Sequence, residues 1–235
     1  MNIFCFPYAG GSSFMYSELR QKLSGVHKVI PMEYPGHGLR MGEELCDCVD
    51  SVIDDMFDQM RKKDNGLPFI LLGYSLGSKL IYLLYEKFKD NVMFRRLKGI
   101  FFCASSMADI EENKDYSSMS DEELMRYTLE LGGSDIETEE EKNDFRFFLP
   151  IIRNDFILYE RTKNRITEMK KEPIDRKTWV MYSSDEENIE CFDKFCTESP
   201  VYEYFEGGHF FIHEHCDEMA SFINNMISAD GKVRV

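Results

Sequence analysis

No apolar run in this chain approaches the roughly 20 residues needed to cross a bilayer. The longest, around 69–73 and 100–104, are the length of single strands. The opening Met1-Asn2-Ile3-Phe4 has no basic segment and no cleavage site, so no signal peptide is expected. CxxC pairs are absent, and the seven cysteines have no regular spacing. Reduced thiols in a cytoplasmic protein fit that usage, and nothing points to a metal or a bound cofactor. There is no internal repeat and no low-complexity tract. Positive charge is scarce: 28 Lys and Arg stand against 43 Asp and Glu, a net charge of −15. That argues against nucleic acid and anionic membrane surfaces as general partners. The deficit is local, because 109–144 holds 14 acidic and 3 basic residues. Such a run reads as a solvated helical surface.

What is present is enough for one sizeable core. The 235 residues, 43% of them hydrophobic, suit a single α/β domain and a monomer. Strand-like and helix-like segments alternate, which predicts a mostly parallel sheet with helices on both faces. Strands are expected at 2–6, 28–32, 69–73, 99–104, 178–182 and 201–205. Helices are expected at 13–23, 44–62, 75–88, 189–195 and 212–227. In the first of these Phe14, Leu19 and Leu23 are candidate core positions; in the second Val49, Val52, Ile53, Met56 and Met60 recur at helical spacing. Between 108 and 169 the rhythm breaks. Three helical pieces (120–131, 138–148 and 151–166) form an insertion, the first opened by the capping-box spacing of Ser120 and Glu123.

The strongest chemical signal is Gly73-Tyr74-Ser75-Leu76-Gly77, a G-x-S-x-G between an expected strand and an expected helix. A nucleophile on so tight a turn adopts strained backbone angles, and small residues two positions away relieve the crowding. Ser75 is the expected nucleophile. Its hydroxyl needs a base. Among His27, His37, His209, His213 and His215, the candidate is His209, which follows Gly207-Gly208 after the 201–205 strand. His213 and His215 read as surface or packing residues, His27 as structural, and His37 as a residue that could line the pocket. The acid that orients the base should leave the preceding strand. Asp185 is the first choice there, Glu186 the next, and Asp109 an outside alternative. An oxyanion hole needs two backbone N–H donors. Leu76 should give one, and the Pro7–Ser12 loop the other, through Ala9 or alternatively Tyr8.

Four further segments carry a family resemblance. Phe6-Pro7-Tyr8-Ala9-Gly10-Gly11-Ser12 resembles the FPxAGGS opening of the type II (editing) thioesterases of polyketide and non-ribosomal peptide synthesis. Tyr34-Pro35-Gly36-His37-Gly38-Leu39-Arg40 is similar to their YPGRGxR segment. Phe148-Leu149-Pro150-Ile151-Ile152-Arg153-Asn154-Asp155-Phe156 is similar to their LPxxRADF lid helix, and Glu206-Gly207-Gly208-His209-Phe210-Phe211 to their GGHFF. The chain departs from the pattern at Tyr74, where the family usually has His, and at Ser78-Lys79, where it has small residues. The resemblance implies an α/β-hydrolase fold with a helical lid over 108–169. It also implies a Ser75–His209–Asp185 triad with Ala9 and Leu76 as oxyanion donors. The implied partner is a phosphopantetheinylated acyl or peptidyl carrier protein bearing an acyl thioester, in antibiotic-type biosynthesis.

Because carrier proteins are acidic, docking is expected on Arg61, Lys62, Lys63, Arg95, Arg96 and Lys98 rather than on the acidic lid. The rival readings are an acyl-CoA thioesterase, a small-molecule carboxylesterase, or a non-catalytic scaffold of the same fold.

Overall fold

The computed structural model describes residues 1–107, 114–132, 138–170 and 172–231. Its centre is a six-stranded sheet of β1 (Asn2–Phe6), β2 (Lys28–Pro31), β3 (Phe69–Tyr74), β4 (Leu97–Cys103), β5 (Lys177–Tyr182) and β6 (Val201–Tyr204). The order is β2-β1-β3-β4-β5-β6, and every pairing is parallel. The helices are α1 (Ser17–Lys22), α2 (Val49–Lys63), α3 (Leu76–Phe88), α4 (Asp121–Glu130), α5 (Glu139–Glu168) and α6 (Cys216–Gly231).

A strand buried on both faces needs apolar residues at every position, because successive side chains point to opposite sides. β3 shows the result. Phe69 and Leu71 pack with Ile53, Met56 and Leu80 of α2 and α3. Ile70, Leu72 and Tyr74 pack with Leu19 of α1 and with Met219 and Ile223 of α6. A third, smaller cluster joins α4 to α5 through Leu124, Met125, Leu149, Ile152 and Phe156. Together α4 and α5 form the helical insertion; Ser120 and Glu123 close the expected capping box on α4, and Thr138 and Glu141 close a second one on α5.

Several expectations are corrected. The pieces at 138–148 and 151–166 are one helix of 30 residues, with Pro150 inside it. Proline removes one N–H and crowds the preceding turn, but Leu149, Ile152, Phe156 and Leu158 bury the apolar face on both sides of it. α2 begins at Val49 rather than 44, where its apolar spacing also begins. The 13–23 helix is a 3-10 turn, Ser13–Tyr16, leading into α1, and Phe14 is 62% exposed. The 189–195 helix is likewise a 3-10 stretch, Ile189–Lys194. All seven cysteines are free thiols. No helix among the described residues is long and apolar enough to cross a membrane.

In a parallel α/β sheet, functional groups gather where the strands end. Here the loops after β1, β3, β4, β5 and β6 all open on the same edge. The cations expected to dock a carrier lie at the other end. Arg61, Lys62 and Lys63 close α2 just before β3, and Arg95, Arg96 and Lys98 surround the start of β4. They are separated from the β3–α3 turn by the length of a strand, about 17 Å, and Arg96 is paired with Asp64 at 2.5 Å.

The turn itself fixes two residue types. A Cβ on Gly77 would lie 2.2 Å from the Phe6 carbonyl oxygen, and one on Gly73 would lie 2.5 Å from the Gly77 backbone. Gly77→Ala is therefore expected to lower stability by about 1–3 kcal/mol, read as a lower urea midpoint. An unchanged midpoint would show that the turn is looser than this packing implies.

Candidate active site

Ser75 stands between β3 and α3 with φ 52° and ψ −112°, a conformation that L residues rarely adopt. Its N–H is held by the Cys103 carbonyl oxygen at 2.8 Å, and Ser78 Oγ, 2.7 Å from the Gly73 carbonyl oxygen and 3.0 Å from that of Cys103, braces the same turn. Ser78 thus ties the elbow to β4. Lys79, the other departure from the family pattern, reaches the Ser106 carbonyl at 2.7 Å and lies over the Tyr159 ring.

His209 arrives on the loop after β6. Its Nε2 lies 3.0 Å from Ser75 Oγ and its Nδ1 2.8 Å from Glu186 Oε1. A carboxylate can only accept, so Nδ1 carries the proton and Nε2 is left to accept the serine hydroxyl. Glu186 is buried, and its other oxygen, Oε2, accepts from the Ser183 N–H and hydroxyl at 2.8 Å each. Burial pushes its carboxyl up. The bonds from His209 and Ser183 outweigh that and hold it below its ordinary value of 4.5.

Asp185, expected on the imidazole, is elsewhere. Its Oδ2 accepts the backbone N–H of His209 at 2.8 Å, so it holds the loop and not the ring. The β5 loop turns at Ser183, which bonds Glu186 and presents the longer side chain to the ring; composition could not separate two adjacent acids. Ser184 Oγ donates to the Gly207 carbonyl at 3.0 Å and clips the two loops together. Asp109 lies outside the described residues.

Tyr74, a departure from the family pattern, has a structural role that its sequence context does not signal. Its buried hydroxyl donates to the His209 carbonyl at 2.7 Å and accepts the Ile212 N–H at 3.3 Å. Burial holds the phenol protonated, as that donation requires. The other histidines stand apart from Ser75. His213 pairs with the Tyr8 hydroxyl, His215 with Glu218, and His37 is buried against Asp155. Burial keeps the His27 ring below its ordinary value.

Two cavities meet at Ser75 and His209. One, of about 150 Å³, is lined mainly by rings, among them Tyr8, Tyr116, Tyr127, Phe156 and Phe210, together with Ala9. The other, of about 340 Å³, has a mixed wall that includes the polar residues Ser105, Ser106, Asp185, Glu187 and Asn188. Tyr159 borders both. Leu76 is the first residue of α3, so its N–H has no intrahelical acceptor. No group of His, Cys, Asp and Glu among the described residues has the arrangement of a metal site.

A strained serine at a strand-to-helix turn, facing an oriented imidazole across a parallel sheet, defines a serine hydrolase of the α/β-hydrolase class. Residues 1–227 match the thioesterase domain family, and the chain belongs to it. It is 25% identical over 225 residues to the probable anguibactin biosynthesis thioesterase AngT of Vibrio anguillarum, covering 92% of this chain and 88% of that one. It is 21% identical to the medium-chain S-acyl fatty acid synthase thioesterase of Homo sapiens, over 92% of this chain and 82% of that protein. Among solved structures it resembles ClbQ of the colibactin NRPS/PKS pathway, with a TM-score of 0.85 and 24% identity over 97% of both chains. It also resembles RedJ, a thioesterase of the prodiginine pathway in Streptomyces coelicolor, with a TM-score of 0.84 and 23% identity over 95% of this chain and 84% of that one.

Glu186→Gln should lower turnover by about 10³–10⁴-fold, by leaving the wrong tautomer facing Ser75, whereas Asp185→Asn should lose far less. The lowered Glu186 carboxyl also has a stability consequence. It contributes stability that is full above 4.5 and is lost as pH falls through the lower folded value. Denaturation midpoints for Glu186→Gln should accordingly show a weaker acid dependence than the parent. The reverse ranking of the two variants in turnover would return the ring to Asp185.

Proposed function

We propose that the protein is a type II, editing thioesterase, which hydrolyses acyl groups from the phosphopantetheine arm of an acyl or peptidyl carrier protein. The observation that carries this reading is the bond between Ser75 Oγ and His209 Nε2, backed by Glu186, within a thioesterase-family chain. The reaction class follows from the site, and the carrier follows by analogy with relatives named for peptide and polyketide pathways.

In this mechanism His209 takes the Ser75 proton as Oγ attacks the thioester carbonyl. The imidazolium that forms is stabilised by Glu186, already ionised at neutral pH. The N–H groups of Leu76 and Ala9 receive the developing oxyanion. When the tetrahedral intermediate collapses, the C–S bond breaks, the pantetheine sulfur takes the proton from His209, and the acyl group stays on Ser75. Water then enters, gives a proton to His209 and attacks the ester. Collapse of the second intermediate returns that proton to Ser75 Oγ and releases the free acid. The ring-lined cavity suits the acyl group, since aromatic walls bury apolar surface with little loss of side-chain freedom. The second cavity, with hydroxyl, amide and carboxylate groups in its wall, suits the pantetheine arm with its two amides.

Ser75→Ala should lower kcat/KM for an acyl-carrier substrate by at least about 10⁴-fold with the fold intact. Comparing acyl-carrier, acyl-CoA and nitrophenyl ester substrates on the parent protein identifies the natural class. Preference for the carrier-bound thioester supports the reading. Equal or better kcat/KM for acyl-CoA or for the simple ester would favour the corresponding rival, and full activity in Ser75→Ala would remove the nucleophile.

A further inference from the structure

The lid helix α5 grips the loop after β1 at one glycine. Gly10 has φ +76°, and a Cβ there would lie 2.9 Å from Ile152 Cγ1. One turn along the same face of α5, Asp155 Oδ2 accepts the Gly10 N–H at 2.7 Å. The same oxygen faces His37 Nε2 at 2.8 Å, and His37 Nδ1 faces the Pro35 carbonyl oxygen at 2.9 Å. Both ring nitrogens face oxygen atoms, an arrangement that favours the doubly protonated ring. The pair is almost completely buried, with side-chain exposures of 2% for His37 and 1% for Asp155. Burial opposes the charge on His37, but the hydrogen bond and the charge of Asp155 raise the ring above its ordinary value.

So buried an ion pair is weak evidence for stability alone, since apolar residues of similar volume often do as well. Its position is more informative. Asp155 fixes the Ala9–Gly10 peptide, one residue boundary from the N–H assigned above to the oxyanion hole.

We propose that Asp155 is a positioning residue for the oxyanion loop. From the lid helix it holds Gly10, and through it Ala9, so that a seated lid and an aligned donor are one state. His37, 2.8 Å from the same carboxylate oxygen and tied to the Pro35 carbonyl, braces Asp155 in its buried place. A lid displaced from this contact would leave Ser75 reactive toward its base but without its second oxyanion donor, which protects the acyl-enzyme step until the chamber is closed. The role rests on the hydrolase reading above, and misplacing one such donor by about 1 Å can lower a rate about 100-fold.

Three variants test it with two readouts: turnover of a small acyl thioester, and the rate at which a fluorophosphonate labels Ser75. Asp155→Ala should lose about 100-fold in kcat, with KM within threefold, and label correspondingly slowly. Asp155→Asn keeps an oxygen for Gly10 and should recover at least tenfold of that loss. The double variant His37→Phe, Asp155→Val replaces the pair with apolar groups that fill its space. It should fold with little change in Tm and remain as slow as Asp155→Ala, which keeps the test open if the single alanine variant does not fold. A double variant that turns over and labels within threefold of the parent would overturn the proposal, as would a loss in Asp155→Ala confined to KM. A parent protein that labels at Ser75 but cleaves no thioester would instead sink the functional reading, and the labelling rates would still decide the role of Asp155.

Discussion

A single hydrogen bond, between Ser75 Oγ and His209 Nε2, joins two points 134 residues apart, and the rest of the architecture serves its geometry. A serine hydroxyl is a poor nucleophile unless its proton has somewhere to go. The sheet brings the two groups together because all six strands run the same way and discharge their loops on one edge. Each loop is then stiffened separately. Ser75 is strained and braced through Ser78, His209 is held by its own backbone at both N–H and C=O, and Glu186 is seated by Ser183.

The arrangement spreads the work over several polar contacts. Asp185 and Tyr74 both bond the main chain of His209, which leaves the ring free for Glu186 and Ser75. This division explains why adjacent acids, 185 and 186, have different tasks. The insertion helix α5 reaches the β1 loop through Ile152 and Asp155. On the proposed reading the insertion thus belongs to the site's polar frame as well as serving as its lid.

Much of this was legible in the sequence because the signals were local. A G-x-S-x-G after a continuous apolar run can hardly be packed any other way, since Gly73 and Gly77 have no room for a Cβ. Gly207-Gly208-His209 after the last strand was legible as another local signal, with Gly207 at φ +101°. What the sequence hid were facts of loop path and long-range contact. Whether Asp185 or Glu186 meets the ring depends on where the chain turns at Ser183. The bond from Tyr74 to His209 spans 135 residues and leaves no periodic trace. Pro150 looked like a break between helices, because propensity ignores the apolar face that continues past it. Charge alone points to Arg61, Lys62, Lys63, Arg95, Arg96 and Lys98 for carrier docking, and charge carries no information about which end of a strand a residue occupies.

The most direct test of the central claim is a ¹⁵N-resolved spectrum of the histidine ring protons. The Nδ1 proton of His209 should give a low-field resonance that is lost or strongly shifted in Glu186→Gln and is retained in Asp185→Asn. Retention in Glu186→Gln together with loss in Asp185→Asn would contradict the orientation of the imidazole on which the account depends.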